Sequence, residues 1–117
     1  MAIDFRSGKE FPRRGRDEYG GFMWLLRVFD KARAAADGNI FDYIYPCPMD
    51  RGVFERWGIT PAQFDAALAT RRSDAEILAW LKERVSDKQR ESANAWLRRD
   101  KVENLDRQDA EEGVVAA

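Results

Sequence analysis

The chain has 117 residues with 44% hydrophobic content, 20 Lys and Arg against 21 Asp and Glu, no histidine and a single cysteine. That length fits one domain able to bury a core without disulfides or a structural metal. The composition excludes imidazole chemistry of every kind and intramolecular disulfides. Its near-neutral charge argues against a nucleic-acid or membrane-surface protein.

Residues 1–19 are expected to be an arm packed on the domain. Gly8, Pro12, Gly15 and the Gly20-Gly21 pair interrupt every possible helical turn. Within the arm, Arg13, Arg14 and Arg16 form a basic cluster, with Phe5 and Phe11 as candidate anchors in the core. The start of the chain lacks the apolar stretch of a signal peptide. No apolar run approaches the roughly 20 residues of a membrane span, so the cytoplasm is the expected location.

Helical spacing begins at Phe22. Phe22, Leu25, Leu26, Phe29, Ala32 and Ala36 form an apolar stripe widened by Met23, Trp24 and Val28, and Gly38 is placed as a left-handed C-terminal cap. The polar strip left on this helix holds Arg27, Asp30 and Lys31. Its first reading is a solvated ion-pair network, with Asp30 bonded to Arg27 or Arg33. The functional reading is a site for a small anionic ligand, since arginine offers paired donors to carboxylate or phosphate.

Residues 40–45 alternate Phe41, Tyr43 and Tyr45 with Asp42 and Ile44, which predicts a short extended segment ended by Pro46. Ile3-Asp4-Phe5 is one possible pairing partner. Pro48 suits the first position of a helix running to Trp57 and ended by Gly58, which makes Cys47 its capping residue. Three helix starts follow: Thr60-Pro61-Ala62-Gln63, Ser73-Asp74-Ala75-Glu76 and Ser86-Asp87-Lys88-Gln89 all have the form of a capping box. Ile59 and Phe64 are placed as a hydrophobic staple around the first of them. Beyond Leu97 the apolar spacing decays, and residues 106–117 are expected to be a disordered tail. The predicted architecture is an all-α single domain of about five helices, spanning residues 20–105, with a short extended segment around residues 40–46.

Several segments resemble a known family when taken in order. They are Phe11-Pro12-Arg13, Gly20-Gly21, Leu26-Arg27-Val28-Phe29-Asp30-Lys31-Ala32-Arg33-Ala34, Tyr45-Pro46-Cys47-Pro48-Met49-Asp50, Trp57-Gly58-Ile59 and Ser73-Asp74-Ala75-Glu76-Ile77-Leu78-Ala79-Trp80. Together they resemble a bacterial family known as domain of unknown function 5069, from about Phe11 through Trp80 and on toward Trp96. The chain departs from the family pattern in the Pro12-Arg13-Arg14-Gly15-Arg16 stretch, where a second proline is more usual, and at Leu26, where proline is common. The resemblance implies a fold and a cytoplasmic bacterial origin, and no reaction.

Cys47 is the one candidate reactive atom. A thiol at a helix N-terminus has backbone N–H groups aimed at it and can serve an enzyme or a sensor, but free cysteine is more often a small core residue. Tyr43, Tyr45 and Asp50 flank it, and Phe41 and Trp57 could complete an aromatic pocket beside it. The leading functional expectation is therefore a non-enzymatic domain that binds a partner protein or small ligand at Tyr43–Asp50 and the strip Arg27, Asp30 and Lys31. The alternative is an enzyme or thiol sensor built on Cys47. No metal or cofactor is expected, and the arginines of the arm are a weak nucleic-acid footprint.

Overall fold

The computed structural model describes residues 11–41 and 43–113. The expected pairing of Ile3-Asp4-Phe5, the anchoring role of Phe5, and Asp42 lie outside the described residues. The chain is a mostly α single domain. Among the described residues there are a two-stranded hairpin, β1 (Glu18–Tyr19) with β2 (Phe22–Met23), and six helices. The helices are α1 (Leu25–Ala36), α2 (Pro48–Trp57), α3 (Pro61–Leu68), α4 (Asp74–Arg84), α5 (Asp87–Arg99) and α6 (Val102–Glu111).

The hairpin corrects the expected start of the first helix. Gly20 and Gly21 both take positive φ, 59° and 84°, as a two-residue turn between right-twisted strands requires. Glu18 pairs with Met23 and Tyr19 with Phe22. The apolar spacing from Phe22 imitated a helix because both residues enter the same core that α1 enters. Asn94 of α5, almost fully buried, clamps the hairpin by accepting from the Met23 N–H at 3.1 Å and donating to the Gly21 carbonyl at 2.8 Å. Trp24 then turns the chain into α1 at φ 73°, its own N–H bonded to the Gly15 carbonyl at 2.7 Å.

The expected helix ends are present. After α1, the Asn39 N–H reaches the Ala34 carbonyl and the Gly38 N–H the Ala35 carbonyl, with Gly38 at φ 74°. This is the doubly bonded left-handed cap. Gly58 and Ile59 close α2 the same way, onto Glu55 and Phe54. Thr60 with Gln63 and Ser86 with Gln89 form reciprocal capping boxes. At α4 the Ser73 side chain accepts from the Glu76 N–H, but its hydroxyl donates to the Glu76 carboxylate, so the reciprocal backbone bond is absent there.

Three further expectations are corrected. Residues 40–46 form no strand among those described. They make an irregular turn in which Phe41 has φ 53°, Tyr45–Pro46 is a cis peptide and the Tyr43 N–H closes onto the Ile40 carbonyl. The segment placed in a disordered tail is helical as far as Glu111 in α6, because Leu105 buries against the core and arginines of the arm reach its acids. Finally, Phe11 is exposed and is not an anchor. The arm is held by charge. Arg13 spans two helices, with bonds of 2.9–3.0 Å to Asp30 on α1 and 2.6–2.8 Å to Asp74 on α4. Arg14 and Arg16 reach Asp109 and Asp106 on α6.

The core fills the space between α1, α2 and α5, with Trp24, Trp57, Phe29, Phe54 and Phe64 fully enclosed. The pair α2 and α5 makes the most extensive helix contact. Gly52 on α2 permits it, since a β-carbon there would overlap the Trp96 ring of α5.

Candidate functional site

The Tyr45-Pro46-Cys47-Pro48 segment enters α2 as the sequence suggests. Cys47 has extended backbone, φ −85° and ψ 172°, and caps the helix. Its Sγ accepts from the Asp50 N–H at 3.4 Å, and the Asp50 carboxylate accepts from the Cys47 N–H at 2.9 Å. Cysteine thus stands where serine or threonine usually does, and aspartate does the work of the usual glutamate.

Asp50 is fully buried and is the centre of a polar network. Lys31 on α1 donates to its Oδ2 at 2.7 Å, and the Trp24 indole N–H donates to Oδ1 at 2.8 Å. Lys31 also lies 3.3 Å from the Cys47 sulfur. Two of its carboxylate's donors come from α1 and the turn before it, and one from its own capping loop. The network therefore locks the start of α2 against α1.

The polar strip of α1 is not a solvated face. Arg27, Asp30 and Lys31 are 3%, 3% and 4% exposed, and none is paired with another. Each instead receives an opposite charge from a distant part of the chain: Asp30 from Arg13, Lys31 from Asp50, and Arg27 from Glu112 at 2.6 and 2.9 Å. Burial works against the Arg27 charge, and the Glu112 carboxylate outweighs it, so the guanidinium is held more firmly charged than in water. Tyr43 joins this pair by donating to Glu112 at 3.0 Å, and burial, then this bond, push its hydroxyl well above the ordinary tyrosine range.

Tyr45 belongs to another neighbourhood. Its ring meets Phe54 edge to face at 6.4 Å between centroids, and its hydroxyl donates to Asp65 on α3 at 2.7 Å. Burial and then Asp65 raise it far above its usual range. The aromatic set is therefore not a pocket beside Cys47: Trp57 is in the core, Tyr43 faces α6, Tyr45 faces α3, and Phe41 is out in solvent.

Two features were not legible as a site beforehand. Phe41 and Ile44 are 62% and 67% exposed, on a loop braced through Tyr43 to Glu112 and through Tyr45 to Asp65. On the other side of Tyr45 and Pro46, α1 and α3 enclose an open groove of about 590 Å³ with Arg33 and Arg72, and equally Asp37 and Asp65, along it. Its signal in the sequence is faint. Alanines at 32, 35 and 36 read as a core face, and nothing links Arg33 to Arg72 before the chain folds.

Among the described residues no cluster of three or more cysteines and carboxylates is placed to hold a metal ion. No helix of the described residues is long and apolar enough to cross a membrane. Taken together, these features define a small, mostly α domain whose buried charges serve its fold and whose open surface is a loop and a groove. The chain belongs to the family described as Domain of unknown function (DUF5069), whose model matches residues 9–116 and so takes in α6 as well as the segments before it. No curated protein matches the chain.

Proposed function

We propose that this domain is a non-enzymatic docking module of the bacterial cytoplasm that engages a partner protein through the Gly38–Pro46 loop. The observation that carries the reading is the pair Phe41 and Ile44, large apolar side chains held in water by a loop braced on both sides. Apolar side chains cluster at the centres of protein interfaces, and a braced loop loses little entropy on binding. Phe41 also holds φ 53°, a conformation costing a non-glycine residue roughly 1–2 kcal/mol. The single unbridged cysteine suits a reducing compartment. The expected contribution of Arg27, Asp30 and Lys31 to this surface is withdrawn, because their charges are enclosed and matched internally.

The test is to select binders from a displayed random-peptide library on the whole chain and compare the wild type with Phe41→Ser/Ile44→Ser. The variant should fold with little loss of stability, since both side chains are exposed, and should lose the selected binders. Binders that hold to the variant equally well would rule the loop out.

The thiol reading keeps one observation in its favour, the approach of the buried Lys31 ammonium to the Cys47 sulfur at 3.3 Å. Cys47→Ser separates the two readings. Serine is a strong N-cap, so the fold and peptide binding should persist, whereas a sensor or enzyme would lose all response. Alkylation of the folded chain at a rate close to that of the urea-unfolded chain would bring the thiol forward. Alkylation only on unfolding would dismiss it.

A further inference from the structure

We propose that α6 is a releasable strap: it covers a face made by Arg14, Arg16, Arg27 and Tyr43 as an internal acidic ligand, and an acidic helix of a partner protein binds that face by displacing it. The inference goes beyond docking at the Phe41 loop and does not depend on it. Asp106, Asp109 and Glu112 follow one another at three-residue steps and so share one side of the helix. They meet Arg16 at 2.6 Å, Arg14 at 2.8 Å and Arg27 at 2.6 Å, and Tyr43 adds a bond of 3.0 Å to Glu112. The occupant that fits this face is therefore visible in the fold itself. Among the described residues, the acids beside the face leave it positive. Asp30 and Asp50 are held by Arg13 and Lys31, and Asp17 lies 3.6 Å from Arg14.

The strap is lightly fastened. Leu105 is its single buried residue, and Lys101 gives its first turn no side-chain cap. Arg14 and Arg16 are 35% and 34% exposed, so their pairs hold weakly in water. The contact with the rest of the fold is also incompletely satisfied. Gln108, one turn before Glu112, has a buried Oε1 without a hydrogen-bond partner among the described residues, and so does the Nε of Arg27. A helix packed for permanence leaves few such atoms. The receptor side is firmer. Arg27 belongs to α1, with its guanidinium 5.7 Å from the Trp24 ring centroid and 5.8 Å from that of Tyr43. Departure of α6 strands this buried charge, and a carboxylate from elsewhere restores its partner. The opened face is thus selective for acid.

Two measurements on the whole chain test the idea. In native-state hydrogen exchange, the α6 amides should be protected roughly tenfold less than those of α5, and less still with added salt. A labelled peptide of residues 101–113 then serves as the displacing helix. Tethered α6 competes with it at high effective concentration. Asp106→Asn/Asp109→Asn weakens that competitor at its exposed pairs and should bind the peptide roughly tenfold tighter than the wild type. Adding Arg14→Gln/Arg16→Gln should abolish the gain. Protection of α6 equal to that of α5 would overturn the strap. Equal peptide affinities, a gain that survives loss of the arginines, or no binding to either chain would overturn the receptor face. Self-association of the wild type that the peptide dissolves would put α6 of a second copy on the face and overturn the assignment to a different protein. The docking reading is judged separately, since Phe41→Ser/Ile44→Ser leaves every strap contact in place.

Discussion

Asp50 carries more of this fold than any other polar residue. One carboxylate satisfies the Cys47 backbone N–H, the Trp24 indole and the Lys31 ammonium with no exposure to water. Enclosing an ion pair gains little by itself because both partners give up hydration, but removing one partner strands the other charge. Asp50→Ala should therefore destabilise the domain by about 3–5 kcal/mol. Lys31→Met in that background should recover part of the loss, because the stranded ammonium goes with it. Urea unfolding of the two single variants and the double would show this as coupling. Simple additivity would mean that the pair is not energetically linked. The position was legible in the sequence as the third helical residue after Cys47. Its partners were not, because Trp24 and Lys31 come from another helix and the turn before it.

At the level of elements, the cap signals were the most dependable guide. Proline after Cys47 and Thr60, glycine after α1 and α2, and Ser-to-Gln spacing before α5 all act within a few residues, where the chain's own stereochemistry decides the outcome. Packing reversed the reading where an element is short or amphipathic only in context. The hairpin is one case, and α6 is the other. Helix α6 has Leu105 as its single buried residue, and its place depends on Arg14, Arg16 and Arg27 reaching its acids and Glu112. The contact of α2 with α5 offers a test at this scale. Gly52→Ala should gain about 1 kcal/mol of helix propensity yet destabilise the protein overall, because the added methyl displaces the Trp96 ring and overpacking costs about 1–3 kcal/mol. A rise in Tm for this variant would show that α2 and α5 can part without penalty.

Over the whole molecule, acids on α4 and α6 tie the arm down. Hydrogen bonds from Arg13 hold the Asp74 carboxyl below the ordinary aspartate range, and bonds from Arg14 do the same for Asp109. A carboxyl lowered by folding stabilises fully above its unfolded value, about 3.9, and that contribution fades as the pH falls through the folded value. The urea midpoint should thus drop as the pH is lowered below about 4, and more gently in Asp74→Asn/Asp109→Asn than in the wild type. Equal slopes in the two proteins would show that the clasp contributes nothing. Both side chains are partly exposed, so the difference should be modest.

Local rules in the sequence determined the helix class, four of the six helix starts, the glycine caps and the role of Cys47, because capping, proline geometry and glycine conformation act over a single turn. They also brought the family into view through the order of its short segments. The partners of the charges were decided only by tertiary structure. Arg27 meets Glu112 across 85 positions and Arg13 meets Asp74 across 61, and no local periodicity reports such distances. For the same reason a polar strip that reads as solvated is enclosed, and the groove lined by Arg33, Asp37, Asp65 and Arg72 comes into being only when α1 and α3 are laid side by side.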